Sequence, residues 1–252
     1  MKYYVIILVL AFVQITCSQN YELIYKADLK PYKGASDSKN NLSAAQQAFI
    51  NQINKKNALM SDALKIKVIA KPQENSYQLR FNRLMPVDGL TQGDLKFAMI
   101  DISAFTKIDY YNSTAYGYSI ILDSLVVASK SQAYFDWEIT KDQKTILGKM
   151  CYKARPKLKK GLGRSITNGY IPEEVWFAPV LNFRASPAVF ADLPGAILEY
   201  KTSRATIRAI SVKAVTNNLE FEPLDTYKIV NYKQFKKLMK AHYKKIKSKI
   251  KR

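Results

Sequence analysis

The sequence predicts a mainly β protein: a single-domain curved antiparallel sheet or open half-barrel, closed at its end by a basic amphipathic helix. Three observations predict it. Short runs rich in Ile, Val, Tyr and Phe recur with turn residues between them. Seventeen tyrosines suit a pleated, half-exposed surface better than helix. The last stretch changes period: Phe235, Leu238, Met239, His242, Ile246 and Ile250 recur at three- and four-residue steps among lysines.

Tyr21 to Tyr32 reads as a first strand. Leu42 to Leu59 carries Ala45, Ala48, Phe49, Ile53 and Leu59 at helical spacing and is expected to be a helix on that face. Leu64 to Val68 and Tyr77 to Phe81 alternate cleanly around a turn at Asn75, as the arms of a hairpin should. Lys96 to Ile102, Thr106 to Tyr111, Tyr118 to Asp123 and Leu125 to Ser129 are read as further strands. Gly89, Gly93, Asn112 and Gly117 stand as turns among them. Phe135 to Ile139 and Ile146 to Ala154 read as a hairpin turning at Lys141 to Lys144. Glu174 to Phe177, Ala196 to Tyr200 and Ala205 to Val215 complete the pattern. Strands without intervening helical units imply mainly antiparallel pairing. The expected organisation is a signal peptide over 1–18, a β-rich domain over 19–227 and a basic helical tail over 228–252.

The N-terminus places Lys2 before the apolar run Val5 to Val13, too short to span a bilayer, followed by Thr16-Cys17-Ser18. Small residues at the first and third of those positions suit cleavage before Gln19, so export to the periplasm or outer envelope is expected. The rival reading lipidates Cys17, although Gln14 stands where a lipobox wants an aliphatic residue. Cleavage would leave Cys151 as the one mature cysteine, which excludes a disulfide-stapled scaffold. The net charge is +20, and Lys228 to Arg252 contributes ten lysines, one arginine and no acid. Lys153, Arg155, Lys157, Lys159, Lys160 and Arg164 form a second basic cluster. Such a surface fits an anionic envelope lipid or polymer, with Lys236, Lys237, Lys240, Lys244 and Lys245 as its candidate residues. Export makes a nucleic acid partner unexpected.

Catalytic constellations are sparse. His242, the only histidine, lies on the apolar side of the tail, so a triad would have to borrow it from there. Zinc sites need clustered Cys and His, and no metal or cofactor is expected. Glu173 with Glu174, Asp136 with Glu138, and Glu220 with Glu222 are carboxylate pairs. Residues two apart on a strand share a face, so the last two pairs could serve acid/base chemistry, or simply face lysines as solvated partners. Cys151, within Met150-Cys151-Tyr152, reads as a small core residue or as a reactive thiol.

Two segments together resemble a known family. Trp137-Glu138-Ile139-Thr140 leads through Lys144 to Gly148 into Cys151-Tyr152-Lys153-Ala154. Glu174-Val175-Trp176-Phe177-Ala178-Pro179 is then followed by Asp192-Leu193-Pro194-Gly195-Ala196-Ile197. This resembles the GLPGLI family of exported Bacteroidota proteins over roughly Asp136 to Val215. Asp192 stands where the naming motif has its first glycine, and Ala196 where it has a leucine. The resemblance implies an exported, β-rich envelope protein and no catalytic residues. Physically, Leu193-Pro194-Gly195 is a turn before a strand, and Trp137 and Trp176 are buried anchors. The functional alternative has Trp137, Trp176, Pro179, Leu193, Pro194 and Gly195 bordering an apolar ligand cleft. The expected function is a non-enzymatic binding or accessory protein holding an apolar or peptidic ligand on the sheet, in reach of outer-membrane uptake machinery. The alternative is a carboxylate-dependent hydrolase of envelope polymers.

Overall fold

The computed structural model describes residues 19–32, 43–82, 90–103, 105–122, 124–130, 134–159, 171–216 and 219–250. The expected signal peptide, Cys17, Gly89, Lys160 and Arg164 lie outside them. The protein is mainly β. Twelve strands form one open sheet in the order β12-β6-β5-β4-β3-β2-β1-β11-β10-β9-β8-β7, with its two end strands unjoined.

Strand β1 (Asn20–Leu29) lies in the middle and pairs antiparallel with both β2 (Lys65–Lys71) and β11 (Ala205–Val215). On one side β2, β3 (Ser76–Phe81), β4 (Phe105–Tyr111), β5 (Thr114–Ser119) and β6 (Leu125–Ser129) follow as a meander. On the other side β7 (Phe135–Ile146), β8 (Lys149–Leu158), β9 (Glu174–Ala178) and β10 (Ala196–Lys201) lead back to β11. The only parallel pairing among the described strands is β12 (Lys228–Asn231) against β6. The first residues assigned to the tail are therefore part of the sheet.

Period-2 patterning sets one apolar face. Leu23, Val68, Leu79, Ile108, Gly117, Val127 and Val230 stand opposite one another in a single row, and all are buried. Two helices cover part of this face. Helix α1 (Ala44–Ala63) starts from a Ser43–Gln46 capping box and buries Ile50 and Met60. Helix α2 (Gln92–Ile102) starts from a Thr91–Asp94 capping box and buries Leu95, Ala98 and Ile102.

The rest of the covering comes from an irregular connection. Between β9 and β10, residues 179–195 lie on the apolar face and bury Leu181, Phe183, Ala185, Ala188, Val189, Phe190 and Leu193. A buried loop must satisfy its own backbone. Here Tyr77 donates from its hydroxyl to Ala188 O (3.1 Å) and Ser186 Oγ donates to Phe190 O (2.9 Å). Just beyond the loop, the Tyr25 hydroxyl donates to Ile197 O (2.8 Å) and Ile197 N to Ala185 O (2.9 Å). Tyr21 stacks on Phe183. The chain thus plugs its own sheet.

Helix α3 (Tyr232–Ile250) is the expected basic helix. Phe235 is buried and meets Phe105 with ring centroids 5.9 Å apart, while Leu238 and Met239 pack against the core. Its first turns are thereby anchored to the β4–β6 end of the sheet.

Four local expectations are corrected. Lys96 to Ile102 is helix, because the Thr91 cap and its Asp94 partner start a helical turn upstream of an apolar run too short to declare its own period. Of the strand expected over Tyr118 to Asp123, only Tyr118 and Ser119 are strand among the described residues: β5 starts four residues earlier, after a turn at Asn112 and Ser113, both at positive φ, and Gly117 lies inside it. The β7–β8 turn sits at Leu147-Gly148, at φ of 50° and 71°, while 140–142 form an irregularity within β7. In α1, Phe49 and Leu59 face outward, 60% and 41% exposed, so the apolar face expected there is rotated.

The α2 cap carries an acid-dependent contribution. The Thr91 backbone N–H, then the Lys56 ammonium and the Thr91 hydroxyl, hold the Asp94 carboxyl down at about 2. An unfolded Asp titrates near 3.9. The folded value is the lower one, so this stabilisation is present above about pH 4 and is lost as pH falls towards 2. Urea unfolding of wild type and Asp94→Asn should therefore differ at pH 5 and converge by pH 2. A difference that stays constant with pH would contradict the cap's role.

Candidate functional site

The residues proposed from sequence to border one cleft do not all come together, because the two tryptophans lie on opposite faces of the sheet. Strand register decides this. Trp137 faces Pro156 and Trp176 faces Lys153 on β8. Positions 153 and 156 are an odd number of residues apart, so the tryptophans point to opposite faces of the sheet. Trp137 lies on the apolar face, its ring centroid 4.8 Å from that of Phe135. Trp176 lies on the outer face, 8% exposed, with Lys144 Nζ 4.2 Å and Lys153 Nζ 5.1 Å from its ring centroid. Leu193 is buried within the plug, while Pro179 and Pro194 are exposed. Gly195 sits at φ 145°, and a Cβ there would stand 2.4 Å from Ala178 O. Cys151 is buried, its thiol is pushed up by burial, and Sγ lies 3.4 Å from Lys149 O.

A different concavity is present. A cleft of about 950 Å³ opens between α1, α2, the chain just past β1, and the β10–β11 turn. Phe49, Ile53, Met60, Ala98, Pro31 and Tyr32 form its apolar lining. Lys30, Lys56, Asp94, Asp101 and Arg204 supply its charges. The volume lies within the range of ligand pockets, and the pattern of apolar wall with few polar groups is theirs too.

Its walls are tied together. Lys56 Nζ lies 2.9 Å from Asp94 Oδ1 and joins α1 to α2. Arg204 Nη1 lies 2.6 Å from Asp101 Oδ1 and joins α2 to the β10–β11 turn. Asn54 accepts from Tyr32 N (2.7 Å) and donates to Tyr32 O (3.3 Å), and Leu29 N donates to Ser61 Oγ (2.9 Å). The cleft is therefore formed before anything enters it. No sequence signal singled it out, since it draws on four separate segments. The one trace was an apolar α1 residue, Phe49, which the fold leaves 60% exposed.

Two charged clusters lie on the outer face. Lys107 Nζ lies 2.8 Å from Asp109 Oδ2 and 3.0 Å from Glu222 Oε1, with the Tyr118 ring 4.3 Å away. Asp109 is fully buried and accepts from Gln78 (2.9 Å) and the Tyr118 hydroxyl (3.0 Å). Burial, then the Asp109 charge, pushes the Tyr118 hydroxyl well above its usual range. Glu199, 5% exposed, accepts from Lys144 (2.7 Å) and Arg208 (2.8 Å); burial pushes its carboxyl up, but these two cations together hold it below its usual value. The first cluster was not singled out from sequence; its one local signal is Lys107 and Asp109, opposite charges two residues apart on one strand.

The carboxylates singled out from sequence are dispersed. Asp136 is 70% exposed beside Lys159, Glu173 pairs with Lys30, and Glu174 with Lys153, Arg155 and Lys201. Of the described residues of the second basic cluster, Lys153, Arg155 and Lys159 thus face acidic partners. Glu222 is held down chiefly by Lys107. Among the described residues no group of His, Cys, Asp and Glu is placed to hold a metal ion. On α3, Lys237, Lys240 and Lys244 are exposed, Lys236 is half-buried, and the side chain of Lys245 lies outside the described residues.

No family model matches the chain, and no curated protein does. Among solved structures, PNGF-II is similar in two crystal forms, C2 and P21. Each has a TM-score of 0.44 and 14% identity, covering 85% of this chain and 31% of that one. The chain thus spans less than a third of PNGF-II. An uncharacterized conserved protein from Thermus thermophilus has a TM-score of 0.34 and 12% identity, covering 88% of this chain and 96% of that one.

Proposed function

We propose that this chain is an exported cell-envelope protein of the GLPGLI type that binds an apolar ligand in the α1–α2 cleft and performs no catalysis. The observation that carries this reading is the preformed cleft of about 950 Å³ with an exposed apolar wall. Phe49 and Tyr32 remain 60% and 48% exposed there, and leaving apolar surface in water forgoes about 25 cal/mol per Å². Every shift resolved for a described carboxylate, at Asp62, Asp94, Asp142, Glu199 and Glu222, is downward. A general acid needs the opposite, which favours binding over acid/base hydrolysis.

The test is titration with an environment-sensitive hydrocarbon dye. Saturable binding at one site per chain is expected, and Ile53→Asp, which puts a charge on the apolar wall, should weaken it about tenfold or more. Absence of saturable binding, or an unaffected variant, would overturn the reading. The basic helix supplies the second half of the proposal, docking on an anionic envelope surface, where each lysine contributes up to about 1 kcal/mol. Vesicles containing anionic lipid should bind the protein with steep salt dependence. The triple variant Lys237→Glu, Lys240→Glu, Lys244→Glu, which leaves the Phe235 anchor in place, should release it. Undiminished binding of that variant would remove the docking role.

A further inference from the structure

Resting on the binding reading above, we infer that the cleft ligand is a single-chain amphiphile: a hydrocarbon body on the α1–α2 wall, with one anionic head held by Lys30 and Arg204. The charges that line the cleft are three cations, Lys30, Lys56 and Arg204, against two carboxylates, Asp94 and Asp101. They are not equivalent. Asp94 is committed to Lys56 and to the Thr91 cap. Lys30 Nζ donates to Thr202 O at 2.5 Å and keeps that bond, while the carboxylate partners of Lys30 and Arg204 are exchangeable. Arg204 and Asp101 are 46% and 41% exposed, and Lys30 and its partner Glu173 are 34% and 50% exposed. Exposed pairs of this kind contribute little, so an entering oxyanion can replace the carboxylates at small cost.

Lys30 and Arg204 are also neighbours. Lys30 N donates to Arg204 O at 2.8 Å, so both side chains spring from one point on the cleft wall. A guanidinium beside an ammonium suits a carboxylate or phosphate, with the fork supplying two parallel hydrogen bonds.

The same walls argue against a peptide. A bound peptide needs partners for its own N–H and C=O groups. The cleft is made of two helices, a strand end and a turn. Its nearest extended backbone is already engaged, Lys30 N with Arg204 and both Tyr32 groups with Asn54. A hydrocarbon asks for no such partners.

The full chain should be titrated with palmitate, a single-chain lysophosphatidic acid and hexadecanol. Both anions should bind about tenfold or more tighter than the alcohol, the scale of one charge-assisted hydrogen bond, and high salt should narrow the gap. Preference for the phosphate over palmitate would identify a lipid headgroup, and the reverse a free fatty acid; either supports the inference. Arg204→Gln should bring anions and alcohol together, while Asp101→Asn, which frees the guanidinium, should tighten the anions alone. Equal affinity of all three ligands for wild type, with Ile53→Asp still abolishing binding, would overturn the anionic head and leave the cleft reading standing. Failure of all three to bind would overturn both.

Discussion

Gly195→Ala is expected to cost about 3 kcal/mol or more of folding stability, the combined scale of backbone strain and a forced shift of a buried segment. Two features act together. The residue adopts φ 145°, which side chains rarely tolerate, and the added Cβ would meet Ala178 O at 2.4 Å and Pro179 Cα at 2.9 Å. Those atoms are backbone, so they cannot swing away as a side-chain tip could. Gly195 is where the plug rejoins the sheet as β10, and any displacement reaches the Tyr25–Ile197 hydrogen bond two residues on. Gly148 is the internal control. It also has a positive φ, of 71°, but nothing lies within 4 Å of its missing Cβ, so Gly148→Ala should cost only about 1 kcal/mol. Denaturant unfolding compares the two. Equal losses would mean that the close approach to Ala178 contributes nothing.

Asp109→Ala should be comparably damaging, at about 3–5 kcal/mol, the range for breaking a buried ion pair from one side. Asp109 is fully buried and the Lys107 side chain is 6% exposed, so removing the carboxylate strands an ammonium that water barely reaches. Glu222 can compensate only in part, since it is 46% exposed. Adding Lys107→Met should restore at least half of the loss, because the desolvated charge then disappears with its partner. Asp136→Ala, at a site where Asp136 is 70% exposed and its partner Lys159 43%, should change stability by no more than about 0.5 kcal/mol. A double variant as unstable as Asp109→Ala alone would show that the pair is not the source of the cost.

Most of the strands were legible because they carry their evidence locally. Leu23, Tyr25 and Ala27 recur at every second position, and Ile66 and Val68 alternate with Lys65 and Lys67, whatever they pair with. The apolar stripe of α3 was legible for the same reason. What escaped depends on distant partners. The segment 179–195 has no period, and only Leu193-Pro194-Gly195 within it was read, as a turn; its burial follows from tyrosine hydroxyls on β1 and β3 that satisfy the loop and the start of β10. The opposite facing of Trp137 and Trp176 follows from register across β8, which neither tryptophan's own segment encodes. The cleft joins 30–32, 49–60, 94–101 and 203–204, each ordinary when taken alone. Phe49 was correctly read as a helix residue and placed on the wrong side, because the face that packs is chosen by the sheet beneath it.

Ligand is expected in the cleft between α1 and α2, because the chain occupies the apolar face of its sheet itself. Hydrogen exchange with and without saturating hydrocarbon dye tests this most directly. New protection is expected in peptides covering 49–60 and 94–101, with 179–195 already protected and unchanged. Protection that instead appears across 179–195, or opening of that segment when the dye binds, would place the ligand on the sheet face and contradict this expectation.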